Sequence, residues 1–362
     1  MTTKTLLYLA LCSKVYAPGV FKKIEGFVKG ARSAGYDASA FIIEPGGIAK
    51  YLRFLSAMAF ANEDVVVIRY VNRIGLMIFL TSLVLRLRKR YLIIDVPTPM
   101  QNHFREVAKK ERKRLVDLVD LCLIPLQGPL PFWPAGEVIQ YAEESWWYSL
   151  GVRSRTVKTG NGVDVESIPL RDASPVWPSG ALVLVAVGTV AFWHGWDKVI
   201  KTMAVLRDDP DVTFDIRFKI VGDGPDLVNL KKLAEELNLT DQVEFMGMLY
   251  GKELHAEYND AHFGVGSLGW YRLGVNEASP LKSREYLAAG LPFIYATDDP
   301  DFNDKLAVAL KVRSQEKSDD LYELLRKMGN TKLPLAQECR AFAEENLDFS
   351  SKVQAILPVA GR

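Results

Sequence analysis

Short runs of β-branched and aromatic residues, each followed by a longer stretch of helical period, set the rhythm of this chain. The runs at 6–12, 38–43, 65–70, 92–96 and 121–125 read as strands. They are continuously apolar rather than alternating, as strands covered on both faces are, so the alternation of strand and helix predicts an open parallel α/β domain. After the loop 158–164 (Lys-Thr-Gly-Asn-Gly-Val-Asp) the same pattern restarts, with strands expected at 182–187, 218–221, 243–245, 263–266 and 293–295. A second α/β domain is therefore expected after the first. No close internal repeat or low-complexity segment links the halves, so they share an architecture without recent duplication.

Ligands of open α/β sheets bind beyond the carboxyl ends of the strands, and two facing sheets would give one cleft with a donor wall and an acceptor wall. The most informative stretch is Asn276 to Pro292. Ser279 suits an N-cap, Pro280 suits a first helical position, and Gly290 with Pro292 ends the segment, which predicts a helix over 280–289. Lys282 falls in the first turn, where the helix dipole disfavours a cation unless an anion lies between them. A phosphate resolves that conflict. Glu277 and Glu285 then flank the same anion, placed to accept hydrogen bonds from sugar hydroxyls, and the implied ligand is a sugar joined to a phosphate. The competing reading is an amphipathic helix whose Lys282, Arg284 and Glu285 are surface charges.

Glu277 and Glu285 enclose seven residues, and the run resembles the E-x7-E motif of retaining GT-B glycosyltransferases, particularly family 4. Gly160 to Asp164, Phe218-Lys219-Ile220-Val221-Gly222-Asp223-Gly224-Pro225 and Val243 to Gly247 resemble further segments of that family in the same order. The N-terminal half matches more loosely, through Gly19 to Ile24 and the strand pattern. The resemblance implies two Rossmann-like domains facing a cleft: 1–162 for the acceptor and 163–335 for a nucleotide-sugar donor, with 336–362 as a C-terminal helix crossing back to the first domain. It implies transfer of a sugar from a nucleotide diphosphate to a hydroxyl acceptor with retention, without metal or cofactor.

The same resemblance assigns site residues. Glu277 orients the donor sugar and steadies its developing positive charge. Lys282 and the helix N-terminus at Pro280 and Leu281 hold the diphosphate, and Glu285 holds the ribose. Gly222, Asp223 and Gly224 form a turn that approaches the donor, against the reading of a purely structural turn. Met248 and Leu249 present their backbone to the base. Many members carry an Arg and a Lys for the diphosphate where this chain has Thr189 and His194, which hands that work to Lys282 with Lys198 or Arg272. His194 reads equally as a phosphate donor or as a ring packed between Trp193 and Trp196. The loop Leu268 to Arg272 covers the donor sugar or packs between domains. In the first domain, His103 is the acceptor-side candidate, and Gly19 either approaches the donor phosphate or makes a turn.

Composition narrows the class. The 362 residues carry 45 Lys and Arg against 44 Asp and Glu, which leaves no general basic field for nucleic acid. Cys12, Cys122 and Cys339 are widely spaced and read as buried free thiols of a reducing compartment. The apolar run after Lys4 is short and lacks a cleavage site, so it reads as a first strand and the protein as cytoplasmic. The apolar run 74–87, too short to span a bilayer, ends in Arg86-Leu87-Arg88-Lys89-Arg90. Two readings stand, an inter-strand helix with a basic last turn or a surface resting on anionic lipid at the inner face of the plasma membrane. The second fits a lipid-linked acceptor in cell-surface polysaccharide assembly. The rival function is a GT-B protein that binds or scaffolds without turnover.

Overall fold

The apolar runs assemble into two parallel sheets of six strands each. The structure, a computed structural model, describes residues 3–15, 17–44, 46–110, 113–172 and 180–357. The chain divides into two units, one formed by the residues up to Asp164 with those from Leu347 onwards, the other by Val165–Asn346.

In chain order the first unit contains β1 (Thr5–Leu11), α1 (Pro18–Ser33), β2 (Asp37–Ile43), α2 (Ala49–Phe60), β3 (Val65–Arg69), α3 (Gly75–Leu87), β4 (Tyr91–Val96), α4 (Met100–Ala108), α5 (Leu115–Gln127), β5 (Glu137–Gln140), α6 (Trp146–Ser149) and β6 (Thr156–Lys158). Its strand order is β2-β1-β3-β4-β5-β6. The second unit contains β7 (Leu182–Val187), α7 (Trp196–Arg207), β8 (Ile216–Val221), α8 (Leu227–Glu236), β9 (Val243–Gly247), α9 (Gly251–Asp260), β10 (Phe263–Val265), α10 (Leu281–Ala288), β11 (Phe293–Tyr295), β12 (Ala309–Lys311), α11 (Asp319–Lys327) and α12 (Ala336–Asn346). Its order is β12-β11-β10-β7-β8-β9. The last helix, α13 (Phe349–Ile356), belongs to the first unit.

In the first unit the chain steps from β1 to β2 in one direction and from β2 past β1 to β3 in the other. Right-handed crossovers then place α1 on one face of the sheet and α2, α3 and α5 on the opposite face. The cores agree. Ile24, Phe27 and Ala31 of α1 share a buried cluster with Phe349 and Val353 of α13. Phe54 and Met58 of α2, Ile78 and Leu85 of α3 and Ile124 of α5 share the other. Glycine makes room for the returning helix, since a Cβ at Gly26 or Gly162 would collide with the Phe349 ring. At the carboxyl edge of this sheet Asp95 is buried, accepts a hydrogen bond from the Tyr8 hydroxyl, and lies 3.4 Å from Arg69 and 3.8 Å from Lys23.

Several expectations need correction. The run 121–125, read as a strand, lies inside α5, and the fifth and sixth strands are β5 and β6. Asp117, Asp120, Ile124 and Gln127 recur at helical spacing and are the buried residues of α5, each polar one met by a partner, so tertiary contacts override the β-rich composition. Strand β12 was not foreseen. In the segment 336–362, α12 packs on α10 within the second unit, and the return to the first begins only at Leu347. Gly19 sits in the first turn of α1 rather than in a loop. Cys12 and Cys339 are buried, but Cys122 is exposed on α5; all three are free.

Candidate active site

The carboxyl ends of β7, β8, β9 and β10 and the N-terminus of α10 carry the residues of interest in the second unit. Helix α10 starts at Leu281 with Pro280 as its N-cap, one residue later than expected, and ends where Gly290 adopts a φ of +84°. Lys282 is in its first turn. Its ammonium lies 3.4 and 3.5 Å from the two ring nitrogens of His194 and 4.8 Å over the Trp196 ring. A Cβ at Gly188 would come within 3.3 Å of the same nitrogen, so the first loop beyond β7 closes over it. Among the described residues no carboxylate forms an ion pair with Lys282. Burial pulls its pKa down from 10.5 to about 7, against an opposing pull from Glu285.

His194 is held from several sides. Its ring stacks on Trp196 at 5.0 Å and 18°, its Nδ1 is 2.7 Å from the Ser267 hydroxyl, and its carbonyl accepts from the Leu268 amide. Burial, and secondarily Lys282, drive its pKa well below 6.5, so the ring is neutral at pH 7. His194 is therefore packed against Trp196, and its ring nitrogens also face the Lys282 ammonium. Trp193 stacks on Trp270 at 6.3 Å, and a Cβ at Gly195 would meet the Gly269 backbone at 2.8 Å. The loop that includes Trp270 thus packs on the turn before α7, inside its own unit.

The turn Gly222-Asp223-Gly224 has a structural task. A Cβ at Gly222, whose φ is +140°, would collide with the Gly188 carbonyl, and one at Gly224 would collide with the Val190 backbone. The amides of Gly188 and Val190 donate to Val221 and Asp223, which locks the loop after β7 against the loop after β8. The close approach these glycines permit is between two loops of the protein. Asp223 accepts from the Gly224 amide and remains exposed. Beyond β9, Met248 and Tyr250 are exposed and Leu249 half-buried, an open platform at the strand end.

Lys198 and Arg272 are engaged elsewhere. Lys198 is buried with its ammonium donating to the Gln315 carbonyl at 2.6 Å, and Arg272 grips Asp197 at 2.8 and 3.0 Å and reaches Glu316. Both cations are thus held by partners within the protein. Glu277 and Glu285 are both half-buried, one before and one within α10. Glu277 is fixed through its backbone: it forms an isolated bridge with Asp298, flanked by Ala278 N–H to Asp298 O at 2.9 Å and Asp298 N–H to Asn276 O at 3.0 Å.

Two residues were missed by sequence reasoning. Arg284, read as a surface charge in the competing interpretation, is fully buried; it binds both oxygens of Asp299 at 2.5 Å and Asp301 at 2.6 Å, and so secures the segment that bridges to Glu277. The Tyr286 hydroxyl accepts from the Val187 amide at 3.0 Å and donates to the Val265 carbonyl at 3.3 Å, tying α10 to the ends of β7 and β10. The helical spacing of Tyr286 could mark it as buried, but its hydroxyl partners are set by sheet order. In the first unit, His103 is half-buried on α4 and its pKa is lowered by burial, while Glu144 caps the N-terminus of α4 by accepting from Met100 and Gln101.

Comparison with known proteins finds likeness to glycosyltransferases over part of this unit. Residues 168–331 match the family described as glycosyl transferases group 1. The matched segment runs from before β7 through α11 and so takes in every residue of the α10 site. An uncharacterised glycosyltransferase of Haemophilus influenzae is 32% identical over 112 residues, 31% of this chain and 28% of that protein, so the match spans little more than a quarter of the relative. Solved structures extend the likeness across both units. A lipopolysaccharide outer core galactosyltransferase, WaaB, in its apo form is similar with a TM-score of 0.64 at 12% identity, over 97% of this chain and 98% of that one. A sucrose-phosphate synthase from Thermosynechococcus elongatus gives 0.61 at 14% identity, over 98% and 94%. The architecture is the GT-B fold, two open parallel α/β units.

Proposed function

We propose that the protein is a retaining glycosyltransferase of family 4 type, transferring a sugar from a nucleoside diphosphate to a hydroxyl acceptor. The observation that carries this reading is Lys282: a half-buried lysine in the first turn of a helix, its ammonium against a neutral histidine and a tryptophan face, is stabilised further as a cation when an anion joins it. A diphosphate fits. The match of the second unit to glycosyl transferases group 1 supports the sugar attached to it.

In this reading Lys282 and the amides at the start of α10 stabilise the departing diphosphate as the anomeric carbon becomes oxocarbenium-like. The acceptor hydroxyl attacks from the face the diphosphate leaves, the glycosidic C–O bond to phosphate breaks as the new one forms, and the acceptor proton passes to the leaving phosphate oxygen. Glu277 orients the sugar hydroxyls, Glu285 holds the ribose and the platform at Met248 and Leu249 receives the base. His103 and Gly19 serve the reaction from the first unit. No metal is required, so activity survives chelation. The acceptor is a lipid-linked glycan of cell-surface assembly, handled at the inner face of the plasma membrane.

The test is a thermal-shift panel of UDP, GDP, ADP and dTDP with their sugar conjugates, since a ligand that binds only the folded state raises its apparent stability. One nucleotide series should stabilise the protein, and NMR of the product made from that donor should show the anomeric configuration of the donor. A flat panel at saturating ligand removes the nucleotide-sugar reading, and an inverted product removes retention.

A further inference from the structure

In the first unit, α5 is folded inside out. Its polar residues Asp117, Asp120 and Gln127 point inward, where Asp117 accepts from Lys110 at 2.9 Å, Asp120 from Arg73 at 3.0 Å, and Gln127 donates to the Asn72 carbonyl at 3.0 Å. Apart from the buried Ile124 and the half-buried Leu121 and Leu123, its large apolar residues point outward: Leu115 is 78% exposed and Leu126 71%, with Val116, Leu118 and Val119 exposed between them. Asp117 also caps the helix by accepting from the Arg114 amide at 2.8 Å, and the three contacts together leave an apolar stripe facing water.

Helix α3 continues the surface. Gly75, Ile78, Ser82 and Leu85 face the sheet, while Leu76, Met77, Leu80, Leu83, Val84 and Leu87 form a second apolar stripe on the opposite side, Leu87 84% exposed. The same contacts of Arg73 and Asn72 that orient α5 join it to the start of α3, and α2, packed along α3, adds exposed Leu52 and Phe60. All three helices cover one face of one sheet, so their outer sides lie on the same side of the unit.

Charge identifies what covers it. No residue of α2 or α3 is acidic, and both acids of α5 are turned inward, so the outer face of the three helices has no negative charge. Cations ring it instead: Arg86 and Lys89 at the end of α3 and Lys113 and Arg114 before α5 are exposed. At its margin Trp146 is 71% exposed and the neighbouring Trp147 indole donates to the Pro125 carbonyl at the end of α5. A second copy of this face would bring cations against cations. An apolar stripe with a basic rim and marginal tryptophans matches an anionic bilayer surface, with side chains entering the acyl boundary and phosphates meeting the rim.

We propose that the outer face of α2, α3 and α5 is a monotopic docking surface for anionic lipid. It names the place where the proposed transfer to a lipid-linked acceptor occurs and rests on that reading only for its purpose, because it uses no residue of the α10 site. The test is flotation of the full chain with vesicles of phosphatidylcholine containing phosphatidylglycerol, and of phosphatidylcholine alone, without donor. The chain should float with the anionic vesicles, less so as salt rises, and little with the neutral ones. Leu80→Ser, Leu87→Ser, Leu115→Ser and Leu118→Ser combined should lower that binding at least tenfold with melting temperature and nucleotide binding retained. Arg86→Gln, Lys89→Asn and Lys113→Gln should each cost about fivefold. Absence of vesicle binding, or binding indifferent to both sets, overturns the proposal. A dimer that dissociates in the leucine variant, with no vesicle binding, overturns it in favour of a second copy. Nucleotide binding measured beside flotation keeps a failure here separate from a failure of the glycosyltransferase reading.

Discussion

Lys282 couples the site to pH. In the proposed reaction a diphosphate would select the ammonium form, and burial leaves the free protein with a pKa of about 7 at this residue. Above that pH the empty site holds a neutral amine, so binding takes up a proton and affinity falls as pH rises. A diphosphate's own last ionisation, near about 6, is complete there, and His194, neutral throughout, does not contribute. Calorimetry of nucleoside diphosphate binding in buffers of different ionisation enthalpy should show proton uptake at mildly alkaline pH. Lys282→Ala should abolish the uptake and weaken binding by about 1.5–3 kcal/mol, the range for a charge-assisted hydrogen bond. Equal affinity in variant and parent contradicts the anion site. Lys282 was legible in the sequence because a cation in a first turn is a local conflict. Arg284 was not: its partners Asp299 and Asp301 are brought to it by the fold after β11. Arg284→Met leaves two buried carboxylates without their cation and should cost about 3–5 kcal/mol in denaturant unfolding, while Arg284→Lys, lacking the bidentate fork, should rescue only part.

At the level of elements, α10 depends on being nailed to the sheet it serves. Tyr286→Phe removes the acceptor of the partly buried Val187 amide and should destabilise the protein by about 1–3 kcal/mol. Nucleoside diphosphate affinity should fall with it as Lys282 loses its fixed position; unchanged stability and affinity together would show that the hydroxyl is dispensable. The helix itself was readable from Pro280, Gly290 and Pro292, and β7 and β11 were read to the residue because each is a short buried run with clear punctuation. The misreading of 121–125 has a physical cause. A short apolar run does not distinguish a buried strand from one side of a helix, and here the inward side of that helix is polar, a pattern opposite to the usual amphipathic one. Strands β6 and β12, three residues each, offer too few positions for a period to register.

Across the whole molecule the chain crosses from the second unit to the first between α12 and α13. Composition could not show where, since the helices on either side of the crossing both bury apolar faces. The anchor is Phe349, seated where Gly26 and Gly162 leave space. Phe349→Ala should cost the first unit about 3–5 kcal/mol, as large-to-small core substitutions do. The loss should appear in denaturant unfolding of the full chain; unchanged stability would show that the Phe349 ring is dispensable. Among the described residues no helix is long and apolar enough to cross a membrane, so the lipid contact proposed for α2, α3 and α5 is one of surface docking.

The central claim is that the α10 site consumes a nucleotide sugar, with Glu277 acting on the sugar and Lys282 on the diphosphate. The measurement that tests it most directly is release of nucleoside diphosphate from the stabilising donor by the parent and by Glu277→Gln, with donor affinity measured on both. The account predicts release by the parent, a fall of about a hundredfold or more in the variant, equivalent to about 2.7 kcal/mol or more of barrier, and affinity within about threefold. Equal turnover in the two proteins would remove Glu277 from the chemistry. Tight donor binding without release by the parent, with acceptor supplied, would make the protein a nucleotide-sugar binder.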